Sequence, residues 1–233
     1  MKSRPKIKPH QTTLIVAALA TLVGFLLPVV QKILLPLQYL NTHLHEFSHA
    51  MVAILTGAEV EKIIVNVDGS GVTPVRGGSL LLVASAGYLG ASLFGAAMIY
   101  FAKTEKGAKS MLGLLSVLLL GSLVVWVRGD VVGESAGIGW VFVLGILAYA
   151  LKGQSLMFCA QYLGLQQCLN SVRSLFTLVQ LSTSTEVHSD ATILYQVSGI
   201  PPIAWAIGWS GFSLALVVWT LRKSWSPASR RVG

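Results

Sequence analysis

The chain has 233 residues, 54% of them hydrophobic and 11% charged, with Lys and Arg outnumbering Asp and Glu by 17 to 9. An ordinary soluble domain carries roughly 25% charged residues, so a water-soluble fold is not assumed. The basic excess sits beside apolar runs, which argues against nucleic acid as a partner and for anionic lipid headgroups.

Residues 1–12 form a basic tail containing Lys2, Arg4, Lys6 and Lys8. The apolar run from Thr13 to Val30 lacks a small-residue cleavage site and is expected to be a retained first span. Further apolar runs lie near 33–56, 80–102, 111–128, 136–151, 155–170 and 200–221, before a basic tail at 222–233. Most are long enough to cross roughly 30 Å of hydrocarbon as helix. The short runs at 136–151 and 155–170 allow two tilted helices or one hairpin-like insertion. The expected fold is an all-α polytopic membrane protein of six to seven transmembrane helices, one domain over 1–233. Cys159 and Cys168 imply no disulfide framework, and no organelle signal stands out, so a prokaryotic plasma membrane is the expected location.

Residues 59–76 differ in kind. Glu59-Val-Glu-Lys-Ile-Ile-Val-Asn-Val67 is β-branched, and Asp68-Gly-Ser-Gly71 signals a turn before Val72-Thr-Pro-Val-Arg76. A β-hairpin between the second and third spans is expected, either solvated and without a role or placed where an extended substrate could pair with it. The basic amino terminus is cytoplasmic by the positive-inside rule. A straight count then runs the second span back toward the cytoplasm and opens the polar cleft there. The same count puts the loop with Lys103, Lys106 and Lys109 outside, against the rule.

The second span contains His45-Glu46-Phe47-Ser48-His49, an HExxH motif. Residues four apart on a helix face the same way, so both imidazoles can converge on one metal ion while Glu46 reaches a water on it. Imidazole and carboxylate donors with one open position suit Zn2+, and Glu46 is the expected general base. Ionisable groups at membrane depth are costly and usually functional. The bland alternative is a set of histidines bonded across helices with Glu46 as counter-charge. His43 is expected as a polar neighbour, not a ligand.

These residues resemble the membrane-embedded zinc metalloproteases of the site-2 protease superfamily, more closely its small compact branch. The resemblance is carried by His45-Glu46-Phe-Ser-His49-Ala50, Gly57, Asp68-Gly-Ser-Gly71-Val-Thr, Ala86-Gly87-Tyr88-Leu-Gly90, Ser189-Asp190-Ala191, Gly199-Ile-Pro201 and Trp205. It implies zinc-dependent endopeptidase activity on membrane-associated or transmembrane proteins, with the active site in the membrane region.

The larger members of that superfamily take a third ligand from a Leu-Asp-Gly motif, which this chain lacks. Its three aspartates exhaust the candidates. Asp68 is explained by turn geometry. Asp190, in the family-like segment, is the favoured third ligand, although Ser189 or Asp190 would also serve as an ordinary helix N-cap. Asp130 is the alternative, with a surface pair to Arg128 or Lys152 as its bland reading. His188 could replace Asp190 or orient it. Asn170 and Arg173 could line a polar cavity. The alternative function is a non-proteolytic zinc-binding membrane regulatory module; a transporter would want ionisable residues on several spans.

Overall fold

The computed structural model describes residues 7–27, 34–181 and 189–225. Along them run helix α1 (Pro9–Leu26), α2 (Leu35–Leu55), strands β1 (Glu59–Val60), β2 (Ile64–Val65), β3 (Gly71–Val72) and β4 (Val75–Arg76), then α3 (Leu80–Phe101), α4 (Glu105–Val125), α5 (Val131–Ala150), α6 (Gly153–Leu181), α7 (Asp190–Ser198) and α8 (Pro202–Trp225). Helix starts follow local chemistry. Thr104 caps α4 by accepting from the Gly107 N–H, and Ser189 caps α7 by accepting from that of Thr192. Gly199, at φ +70°, ends α7 in the left-handed region where a side chain would be strained.

Among the described residues, α3, α4, α5 and Pro202–Ser224 of α8 are long and apolar enough to cross a membrane. Both α2, with its Asn, His and Glu, and α6, with Gln161, Gln166 and Gln167, are more polar, and those polar residues are buried. The runs near 136–151 and 155–170 are two separate helices, α5 and α6, joined through Leu151 and Lys152.

β1 pairs antiparallel with β4 (Glu59 opposite Arg76), and β2 with β3 (Ile64 opposite Val72). Between Val60↔Val75 and Ile64↔Val72, one side carries three residues and the other only Thr73 and Pro74, so the ladder contains a bulge. Pro74 sits there, where no ladder N–H is required. Alongside β2, Ile63 makes a parallel bridge to Val127: its N–H donates to the Trp126 carbonyl and its carbonyl accepts from the Arg128 N–H, each at 2.9 Å.

The main core joins Leu40 and Leu44 of α2 to Met98 of α3, Leu112 and Leu115 of α4, Leu144 of α5 and Leu163 of α6. Where α3 and α6 cross, glycines let the backbones meet: a Cβ on Gly95 would strike the Gly164 carbonyl, and the Cys168 thiol donates to the Ser92 carbonyl at 3.4 Å.

Several bonds fix which helix ends lie together. The Gln161 amide of α6 donates to the carbonyls of His10 (3.0 Å) and Ala102 (3.4 Å), and the His10 Nε2 donates to that of Ser224 (3.1 Å). The start of α1, the end of α3 and the end of α8 therefore share one end of the bundle. Leu14 and Ala17 of α1 cluster with Ile99 and Ala96 of α3, and on α2 His49 meets Val83 of α3. Both α1 and α2 thus run toward the start of α3, so the alternating count of the first two spans does not describe the chain.

Candidate metal centre

Positions 41, 45 and 49 follow one another at four-residue spacing along α2, and the side chains of Asn41, His45 and His49 are buried. The His45 and His49 Nε2 atoms stand 3.0 Å apart. From α7, the Asp190 Oδ2 lies 3.0 Å from the first and 3.4 Å from the second. Three ligands at about 2.0–2.1 Å in a tetrahedron would be separated by about 3.3 Å, so this triangle matches a zinc-sized ion. Two further observations fit a cation. The His49 Nδ1 donates to the Val83 carbonyl at 2.6 Å, so in the neutral ring the lone pair is on Nε2, facing the other two donors. In addition, a Cβ on Gly87 would press into His45 Nε2 and Cε1 and against His49 Nε2, so α3 approaches the triangle through its one residue without a side chain there.

The ring of His45 is held edge-on by Tyr88, with centroids 4.5 Å apart, and Tyr88 stacks on Trp209 of α8 at 4.8 Å. That stack belongs to a cluster in which Ala191 and Leu194 of α7 pack on Ala84 and Trp209. Packing of α7 against α3 and α8 thereby sets Asp190 in place, while Ser189 supplies the helix cap. Asp190 is free to present its carboxylate to the imidazoles.

An adjoining face of α2 holds the strand segment. The Tyr39 hydroxyl donates to the Val67 carbonyl and the Thr42 hydroxyl to the Gly69 carbonyl, both at 2.6 Å. Buried Glu46 accepts from the Thr73 hydroxyl at Oε2, 2.7 Å away. A Cβ on Gly71 would overlap the Glu46 carboxylate and the Thr42 methyl. Glu46 is therefore clamped between α2 and β3, next in sequence to His45, where it can take or return a proton at the metal position.

The other candidates stand elsewhere. Asp130 caps α5, its Oδ1 accepting from the Val132 N–H at 2.7 Å. Arg128 does not pair with it, because its guanidinium donates to the carbonyls ending α4, among them those of Leu123 and Val124. Asp68 accepts from the Ser70 N–H (2.9 Å) and hydroxyl (2.7 Å), bonds that hold its carboxyl below the ordinary range. His43 points away from the triangle, its Nε2 donating to the Gly133 carbonyl at 3.0 Å. Arg173 donates to the Gln166 amide oxygen at 3.0 Å; His188 and the side chain of Asn170 lie outside the described residues.

The Val83 carbonyl and Asn41, whose two amide atoms are buried without partners, carried no sequence signal of their own. Gly71, Thr73 and Gly87 stood in stretches that carry the family resemblance, which did not say what they touch.

A helical bundle with membrane-spanning segments and a buried two-histidine, one-carboxylate triangle beside a glutamate defines a membrane metallopeptidase class. Residues 15–220 match the family described as Peptidase M50B-like, and the chain belongs to that family. No curated protein and no solved structure matches it.

Proposed function

We propose that the protein is an intramembrane zinc-dependent endopeptidase that hydrolyses peptide bonds of membrane-associated or transmembrane proteins. The observation that carries this reading is the triangle of His45, His49 and Asp190, with edges of 3.0–3.4 Å, set beside a buried Glu46 in a peptidase family. His45, His49 and Asp190 would hold the ion. Zinc bound there supplies a Lewis acid for the substrate carbonyl and lowers the pKa of water to about 7. Glu46, oriented by Thr73, takes the water's proton and passes it to the leaving amine. His49, its ring fixed by the Val83 carbonyl, would turn its Nε2 to the ion.

A substrate helix must unwind to present its amide. The edge of the strand segment alongside β2 is already paired to residues 126–128, so the edge left for an extended peptide is that of β3, where Gly71 and Thr73 lie against Glu46. In this reading α2 and α6 join the four apolar helices as crossings, giving six, with α1 packed beside them in the bilayer, in one domain with basic tails.

The test is co-expression of tagged single-span proteins with the wild-type chain or with Glu46→Gln. New fragments are expected with wild type alone, with the variant retaining about one zinc per chain and losing turnover by about 10²- to 10⁴-fold. Fragments of equal intensity from both would remove Glu46 from the chemistry. Full zinc in both with no cleavage of any candidate would favour the regulatory module.

A further inference from the structure

The two imidazoles of the triangle are held differently. His49 gives its Nδ1–H to the Val83 carbonyl, whereas the Nδ1 of His45 is buried and has no partner among the described residues. A neutral imidazole that turns Nε2 to an ion carries its hydrogen on Nδ1, so His45 needs an acceptor there. A buried donor without one loses its hydration and gains nothing in exchange. Two amides stand near. Asn41 lies one turn before His45 on the same face of α2, is 2% exposed, and has neither Oδ1 nor Nδ2 partnered. Gln167 of α6 is 0% exposed, and its Oε1 and Nε2 are both without a partner.

Helix geometry brings these amides together. On α6, Gln167 shares a face with Leu156, Ala160 and Leu163, and those three belong to the core that also holds Leu40 and Leu44 of α2. Gln167 is therefore turned toward α2. Along the bundle, Leu44 joins Met98 in that core and a Cβ on Gly90 would meet Ser48, so the antiparallel α3 runs past Asn41 with the stretch around Gly95 and Met98. The same stretch receives α6: a Cβ on Gly95 would meet the Gly164 carbonyl and Cys168, the residue after Gln167. Asn41 and Gln167 thus reach the interior at one level, next to His45.

We infer that Asn41 and Gln167 form a site for a buried water that accepts the Nδ1–H of His45. Such a water donates its two hydrogens to Asn41 Oδ1 and Gln167 Oε1 and receives the third bond from the imidazole, the usual complement for water inside a protein. Both amides are then positioning residues. They touch neither ion nor substrate, and act by keeping the hydrogen of His45 on Nδ1, so that its Nε2 stays turned to Asp190 and His49. The Val83 carbonyl does this for one imidazole and the amide pair does it for the other.

This inference rests on the reading of His45, His49 and Asp190 as zinc ligands, but not on turnover. Its test is the zinc affinity of the purified full-length chain in detergent, measured by competition with a chromogenic chelator, beside the thermal midpoint of each metal-free protein. Asn41→Leu and Gln167→Met keep the outline of the side chain and remove its polar atoms. Each is expected to weaken zinc binding by about 10- to 100-fold. Their metal-free midpoints should not fall, because the atoms removed had no protein partner. Asn41→Asp keeps an acceptor and should bind zinc at least as tightly as wild type. Wild-type affinity in Asn41→Leu or in Gln167→Met overturns the inference, and so does Asn41→Asp binding as weakly as Asn41→Leu. A fall in the metal-free midpoint of the Leu or Met variant also overturns it, since the amides would then hold the fold and not the imidazole. A wild-type chain that binds no zinc would overturn the ligand reading itself, and this one with it.

Discussion

Helices α2 and α5 have nearly the same length and opposite lives. In α2 the polar side chains Asn41, His43, His45, Glu46, Ser48 and His49 are all buried, and the apolar surface they need is supplied by neighbours. In α5 the apolar side chains Val131, Ile138, Phe142, Ile146 and Tyr149 face outward, as they should against lipid tails. Of the two, the helix that looks more like a membrane span carries no chemistry among the residues described. The one that carries it looks less like a span, because a metal site at membrane depth requires polar groups shielded by protein.

Substitutions sharpen that contrast. The largest effect is expected for Asp190→Ala, which removes the carboxylate corner of the triangle. Zinc content measured by plasma emission should fall from about one per chain toward zero, with proteolysis lost alongside it. Unchanged zinc would take Asp190 out of the ligand set. Nearly as large is Gly87→Ala, where a single methyl occupies the metal position. The same change at Gly139 of α5, where a Cβ meets nothing within 4 Å, should leave zinc and activity intact. Equal behaviour of the two variants would show that α3 does not frame the site.

Thr73→Val keeps the shape and removes the hydroxyl that donates to Glu46. A hydrogen bond to a charged group contributes about 1.5–3 kcal/mol, so a loss of about tenfold or more in cleavage rate is expected with zinc content unchanged. The smallest effect belongs to Asp130→Ala. It removes the α5 cap at a cost of about 1 kcal/mol, seen as a modest drop in thermal stability, while zinc binding persists. Loss of zinc there would move the third ligand to α5.

How much of this was written in the sequence depends on distance along the chain. The two imidazoles and Glu46 were legible because helical geometry relates residues four apart, whatever the rest of the fold does. Asp190 was within reach because the chain has only three aspartates and this one stands in the segment that carries the family resemblance, with Asp130 left as the alternative. Thr73 and Gly87 act on residues 27 and 42 positions away, Glu46 and His45, and neither residue type announces such a contact. The strand segment was visible as β-branched runs around a turn. Its bulge and its docking on Tyr39 and Thr42 depend on the packing of α2. The shared direction of α1 and α2 was hidden for another reason: hydropathy marks where a helix can be, and direction has to be supplied by an assumption of alternation.

The bridge between Ile63 and Val127 has a further consequence. A two-stranded ribbon ordinarily offers two unsatisfied flanks, and in a crowded membrane each would invite neighbouring copies to zip together into aggregates. Here the flank beside β2 is consumed by residues 126–128 of the same chain, and the flank left at β3 lies beside Glu46 of α2. With one flank where a free ribbon has two, the segment cannot pass strand pairing on from copy to copy.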